Sequence, residues 1–268
     1  MPWTSFPSDL RLLIEKTLVE ENYISSIQAI LPFTELLSFF EGVAYPLAQR
    51  SATELCVQEV MEKICRGLIA GEKKLPTKAE KEISQLLRTF GALYVDSPMR
   101  NEKVRGLILE VFKMGLPMFV GQGITNSLIA LGNLDIRWNQ LAESLKRETI
   151  DGIDRVLGSS AGTSMDFSSW LAAAAKMNWP IFQSPELRTL FFQAMTRLYG
   201  PDGLTNDPQA PFKDFLAVNA LPSIIFSLHQ LGLSWEELPE DVQEAFFQGI
   251  SLAFPLFTSK QLANIIYG

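Results

Sequence analysis

The chain has 268 residues, 47% hydrophobic and 20% charged, with 30 acids against 23 bases and a formal charge of −7. Those proportions exclude collagen-like and wholly disordered chains. The negative balance excludes a global attraction to nucleic acid or anionic lipid, so any such affinity has to be local.

The opening Met1-Pro2-Trp3-Thr4-Ser5 lacks a basic region followed by an apolar one, and no later apolar run approaches the ~18 residues of a membrane span. A cytoplasmic protein without a membrane partner is expected, with secretion into a host cell as the alternative. From residue 10 to 49 apolar side chains such as Leu10, Leu13, Ile14 and Leu18 keep helical spacing. This stretch is expected to form an N-terminal cap, within a region of degenerate helical repeats or cap over 1–79. Val57, Val60, Met61, Ile64 and Leu68 predict the next helix. Cys56 and Cys65 fall in it, too far apart for CxxC redox or zinc spacing, and read as reduced core thiols. His229 is the sole histidine, so neither a metal site nor any other cofactor is expected.

Internal repetition is the most informative feature. Laid over one another without gaps, residues 81–95 and 122–136 match slot by slot: Ile83 with Ile124, Leu87 with Leu128, Phe90 with Leu131, Leu93 with Leu134 and Val95 with Ile136. This is an i, i+4, i+7 stripe running into an extended exit. Phe167, Leu171, Ala174, Met177 and Trp179 form a further copy, as do Leu221, Ile225, Leu228, Leu231 and Leu233. The last copy starts at Leu262. A second recurrent piece follows each helix: Trp138 to Leu141 leads to Gly152-Ile153 as Trp235 to Leu238 leads to Gly249-Ile250. Pro185-Glu-Leu echoes Pro239-Glu-Asp. The Trp is expected to wedge between neighbouring repeats, because a large ring at a turn buries apolar area that neither helix covers alone.

Repeats of about 40 residues that cannot bury their faces alone must stack. The expected fold is therefore all-α, an α-solenoid of antiparallel helix pairs over 80–268, with an incomplete last repeat and a surface-loop insertion near 200–211. Pro222, which interrupts an otherwise helical period, is expected in a first turn or at a kink. An apolar helix face left uncovered at the C-terminal end would be closed by a second subunit or by further repeats of a longer array.

Two slots of the repeat stay polar. The slot two residues after the first apolar position holds Gln85, Asn126, Ser169, Ser223 and Asn264; the slot two before it holds Lys81, Gln122, Met165, Asn219 and Lys260. They are i, i+4 neighbours on one face. Such a ladder of amides, hydroxyls and lysines suits recognition of an extended peptide or of single-stranded RNA, and any half-exposed helix face is also polar. Residues 62–113 hold 11 bases and 7 acids, whereas 1–61 hold 3 and 8, and 114–268 hold 9 and 15. Lys81, Arg88, Arg105 and Lys113 of that middle band are the candidates for phosphate contacts. A string fitting G-x-S-x-G runs from Gly158 to Gly162, with Asp166 and His229 downstream, though His229 aligns with Gly91 and Gly132 in the repeat frame and is expected in an interhelix slot. A nucleophile elbow needs a strand before the serine, and here a helix precedes it. No catalytic residue is assigned and no enzyme is expected.

The phrases Leu231-Gly-Leu-Ser-Trp-Glu-Glu-Leu-Pro-Glu240 and Lys260-Gln-Leu-Ala-Asn-Ile-Ile-Tyr-Gly268, with Lys113-Met-Gly-Leu116 and Lys176-Met-Asn-Trp179, resemble octotricopeptide-type and FAST-kinase-like helical repeats. The resemblance covers about 80–268 and implies paired antiparallel helices in a superhelix, with RNA binding among organellar members and host-directed scaffolds among bacterial ones. No C-terminal nuclease-like domain of that family is visible here. The reading these observations favour is a non-catalytic binding or scaffold module recognising an extended protein segment, in the manner of a bacterial effector, ahead of a single-stranded RNA-binding repeat protein.

Overall fold

Helical spacing of apolar residues is realised throughout the described residues. The computed structural model describes residues 53–70, 79–94, 99–158, 163–199 and 215–267. Among them are ten α-helices and no strand: α1 (Thr53–Ile69), α2 (Ala79–Leu93), α3 (Glu102–Gly115), α4 (Gln122–Asn133), α5 (Glu143–Leu157), α6 (Ser164–Lys176), α7 (Pro185–Tyr199), α8 (Phe215–Gln230), α9 (Glu240–Ala253) and α10 (Ser259–Tyr267). The all-α expectation is met. The cap expected over 10–49 and the loop at 200–211 lie outside the described residues, as does the side chain of Cys56.

The chain divides into two compact units, one made of 1–119 with 133–136 and the other of 120–132 with 137–268. In the first unit α1 and α2 both pack on α3. Met61, Ile64, Cys65 and Leu68 form the buried stripe of α1, and Ile83, Leu86, Leu87 and Phe90 that of α2. Burial pushes the Cys65 thiol up to about 12, which keeps it neutral and unreactive. Asn101 caps α3, its Oδ1 accepting from the Val104 N–H at 3.3 Å while its Nδ2 donates to Gln58 Oε1 of α1 at 3.0 Å.

In the second unit helices of like kind contact one another. We term α4, α6, α8 and α10, which carry the first apolar stripe of each repeat, the A helices, and α5, α7 and α9 the B helices. α8 packs on both α6 and α10, α7 packs on both α5 and α9, and the pairs α5–α6 and α8–α9 join the two sets. α4 meets α6 through Gly132: a Cβ there would lie 2.6 Å from Lys176 Cβ, so the absent side chain sets how closely the helix ends approach.

The repeat frame extends to backbone conformation. Asp135, Asn178 and Gly232 occupy one slot in successive repeats, and all three have positive φ (59°, 52° and 77°). These are residue types that tolerate the left-handed region, through a small side chain or none. At Asn178 and Gly232 the turn is a Schellman cap: Trp179 N–H donates to Ala174 O and Leu233 N–H to Leu228 O, five positions back in each case. A short 3-10 turn follows at Trp138–Gln140, Ile181–Gln183 and Trp235–Glu237. In the outer two, the Gln140 and Glu237 side chains accept the N–H of Arg137 and Ser234. In the middle copy the equivalent residue is Pro180, which has no N–H to satisfy.

Of the two places expected for Pro222, the first turn is excluded. It lies buried in the interior of α8, beyond the first turn. His229, aligned with Gly91 and Gly132 and expected between helices, is exposed in the last turn of α8.

Candidate binding face

Burial along the A helices shows which face is left to solvent. Core positions of the repeat are closed: Ile124, Leu128 and Leu131 on α4, and Phe167, Leu171 and Ala174 on α6, have no exposure at all. The opposite face holds the predicted ladder. In the second unit Gln122 and Lys260 are exposed, and Met165, Asn126, Ser169, Ser223 and Asn264 are half-buried. The side chain of Asn219 lies outside the described residues. In the first unit Lys81 is exposed and Gln85 half-buried.

The same face has a third slot, three residues after the amide and hydroxyl slot, which a search for recurrent polar positions passes over. It carries Ile129, Ala172 and Phe226, all half-buried, and Tyr267, exposed; α2 presents an exposed Arg88 there. Reading that slot within the gapless alignment would have found it. The face is thus amphipathic along each helix: a polar or sulfur-bearing group, an amide or hydroxyl, then in the second unit an apolar group.

Charge is segregated between the two sets of helices. α4 and α8 contain no Asp, Glu, Lys or Arg; α6 has Asp166 and Lys176, and α10 only Lys260. Asp166 is buried and serves the α6 cap, its Oδ2 accepting from the Thr163 N–H and Oγ1 at 3.0 and 2.7 Å. No carboxylate of an A helix in this unit therefore faces solvent. The three B helices carry eight, among them Glu148, Asp151, Glu186 and Glu244.

Of the phosphate-contact candidates, Lys81, Arg88 and Lys113 are exposed on the first unit. Arg105 is buried instead, its guanidinium donating to Glu102 Oε1 at 2.9 Å and to the carbonyl of left-handed Asp135 at 2.7 Å. It holds the exit of the repeat and serves the fold.

The described residues of the second unit line cavities at two places of interest. The first, about 410 Å³, opens between α5 and α7 over Trp138 and Trp179, with Glu143, Lys146, Arg147 and Asp151 at its edge. Its floor is the predicted wedge: the indoles stack at 3.8 Å and 8°, and Trp138 N–H donates to Met177 O at 2.8 Å. Trp170 meets Trp179 edge-on at 6.2 Å. The second, about 300 Å³, is apolar and lies between α8, α9 and α10 beside Trp235. Gly158, where the string starts, follows helix α5 as expected, and residues 159–162 with Ser160 lie outside the described residues. Among the described residues no three His, Cys, Asp or Glu side chains gather as a metal site would require, and no helix is long and apolar enough to cross a membrane.

A scan of the sequence against protein-family models finds no match, and a search of curated proteins finds none either.

Proposed function

We propose that the second unit is a non-catalytic α-solenoid whose A-helix face binds an extended protein segment of apolar and neutral polar side chains. The observation that carries this reading is the solvent face of the A helices: amides and hydroxyls at Asn126, Ser169, Ser223 and Asn264 alternate with Ile129, Met165 and Phe226, with no carboxylate among them. Side-chain amides bond both the N–H and the C=O of an extended backbone, and apolar groups between them take alternate side chains. Desolvating such a face costs far less than desolvating charged groups. The packing of like helices on like, and the likeness to octotricopeptide-type repeats, support a continuing array of antiparallel pairs, with a host-directed scaffold as one setting for it.

The test is panning of displayed random 12-residue peptides against the folded chain, with an Asn126→Arg, Ser223→Arg double variant as the counter-selector. Enriched peptides with alternating apolar residues that bind the wild type and lose at least tenfold in affinity for the variant support the reading. Enrichment that ignores the variant, or none, refutes it. The exposed Lys81, Arg88 and Lys113 favour a second reading, single-stranded RNA bound by the first unit. A randomised RNA pool that binds at low salt, and releases when all three become alanine, would select it.

A further inference from the structure

We propose that the cavity between α5 and α7 binds a guanidinium group. At about 410 Å³ it has the volume of a small-ligand site, and the stacked Trp138 and Trp179 line it. Its charged groups are Glu143, Lys146, Arg147 and Asp151 on α5 and Glu186 in the first turn of α7. Glu143 and Lys146 neutralise one another at 2.6 Å. Asp151 and Glu186, one from each helix, then stand against the single Arg147; all three are exposed, and none makes an ion pair among the described residues. The balance that remains is negative and favours a cation.

The next junction of the array carries such a cation from within. Counted back from Gly152-Ile153 and Ala194-Met195, which hold one slot of the repeat, Lys146 aligns with Arg188 and Ile150 with Phe192. Gln183 and Glu237 each end the 3-10 turn before the following B helix. At that second junction the Arg188 guanidinium lies over the Phe192 ring at 5.6 Å and faces Glu237 Oε1 at 3.9 Å, between an aromatic face and a carboxylate of the next repeat. The α5–α7 junction has none of those three groups in place. Lys146 is drawn to Glu143 in the first turn of its own helix, Gln183 is neutral and Ile150 is aliphatic. It offers instead an open space lined by tryptophan and by two carboxylates, the same two kinds of partner without the cation.

A guanidinium suits this setting better than an ammonium, because its planar fork bonds a carboxylate in two places and lies flat on an aromatic ring. An anion would gain Arg147 and meet two carboxylates. A compact cation neutralises the carboxylates it covers and leaves the other ions of the B helices in water.

Isothermal titration calorimetry on the full chain tests this, with L-arginine and N-acetyl-L-arginine amide as probes and L-lysine as the ammonium control. The expected result is saturable binding of a guanidinium probe, weaker by about tenfold or more for L-lysine and in both Asp151→Asn and Glu186→Gln. The triple variant Lys146→Arg, Ile150→Phe, Gln183→Glu rebuilds the arrangement of the second junction, and is expected to lose binding with its helical circular dichroism intact. N-acetyl-L-arginine amide binding as tightly as L-arginine assigns the site to an arginine residue of a protein; a preference for L-arginine assigns it to the free amino acid, whose carboxylate then meets Arg147. No binding of either guanidinium probe, equal binding of L-lysine, or an affinity indifferent to the carboxylate variants overturns the proposal. None of the substituted residues belongs to an A helix, so this outcome is separate from that of the peptide panning.

Discussion

Replacing Trp179 by alanine isolates the junction between two successive repeats. The side chain is 1% exposed, lies flat on Trp138 at 3.8 Å and meets Trp170 edge-on. Its Nε1 has no hydrogen-bond partner, so the loss is one of packing. A tryptophan buries roughly 150–250 Å², and truncating a large aromatic in a core costs about 3–5 kcal/mol including the cavity left behind. Full burial places Trp179→Ala near the upper part of that range, about 4 kcal/mol. Stacked pairs carry ~0.5–1.5 kcal/mol beyond area burial, so a cycle with Trp138→Ala should show a coupling of about 1 kcal/mol. Urea unfolding followed by far-ultraviolet circular dichroism is the assay, since both substitutions remove fluorophores. An array also permits repeats to unfold separately, so the transition should broaden as the junction weakens. A cost below about 1 kcal/mol, or strictly additive single changes, would refute the claim that this stack couples the repeats.

Two further outcomes test the fold. Gly132→Ala should destabilise by about 1–3 kcal/mol, because its Cβ meets the Cβ of Lys176, which has little freedom to retreat. Gly106→Ala, mid-helix in α3 with nothing within 4 Å, should stabilise by about 0.5–1 kcal/mol; thermal melts of both measure the contrast, and equal effects would contradict it. Glu62 joins α1 to α3 by accepting from Lys103 at 2.6 Å, and also takes Arg66 at 2.9 Å. The Lys103 bond first, and Arg66 after it, hold its carboxyl below the ordinary 4.5 against the opposing effect of desolvation. Its contribution to stability is present above 4.5 and is lost as pH falls through the lowered value. Lys103→Ala should flatten the acid limb of stability against pH, and an unchanged limb would count against the pairing.

What the sequence made legible is the apolar frame. Of the described positions of the stripe that recurs from Ile83 through Ile124 and Phe167 to Leu221, all but the half-buried Leu231 are buried, because a residue that must face a neighbouring helix admits few chemistries. The left-handed slot was hidden for the opposite reason: Asp135, Asn178 and Gly232 share neither charge nor hydropathy, only a tolerance of positive φ. Arg105 misled because a guanidinium serves equally as an exposed phosphate ligand and as a buried clamp on a carbonyl, and the composition of a basic band does not separate the two. Pro222 and His229 were placed by local period alone. A buried proline inside α8 depends on tertiary packing to offset its missing N–H, and His229 sits on the open side of its last turn. The wedge was legible for Trp138, where the following repeat supplies Trp179, and only half so for Trp235, whose ring packs on Phe246 and Phe247 of the next helix.

The division of charge between the two sets of helices bears on why one face should bind and the other should not. Eight carboxylates and five bases on α5, α7 and α9 keep the B side hydrated; covering those groups would strip water from ions that a partner could seldom match in full. On the A side of the second unit the solvent-facing charges come down to Lys176 and Lys260, at the ends of their helices. The groups between them are neutral, so a partner strand meets donors, acceptors and methyl groups at a modest desolvation cost. Introducing one carboxylate in the middle of that face, as in Ala172→Glu, should therefore weaken a bound peptide more than the same change at exposed Gln193 on α7, even though both leave the packing of the helices untouched. Equal effects at the two positions would mean that the A face is no more a binding surface than the B face.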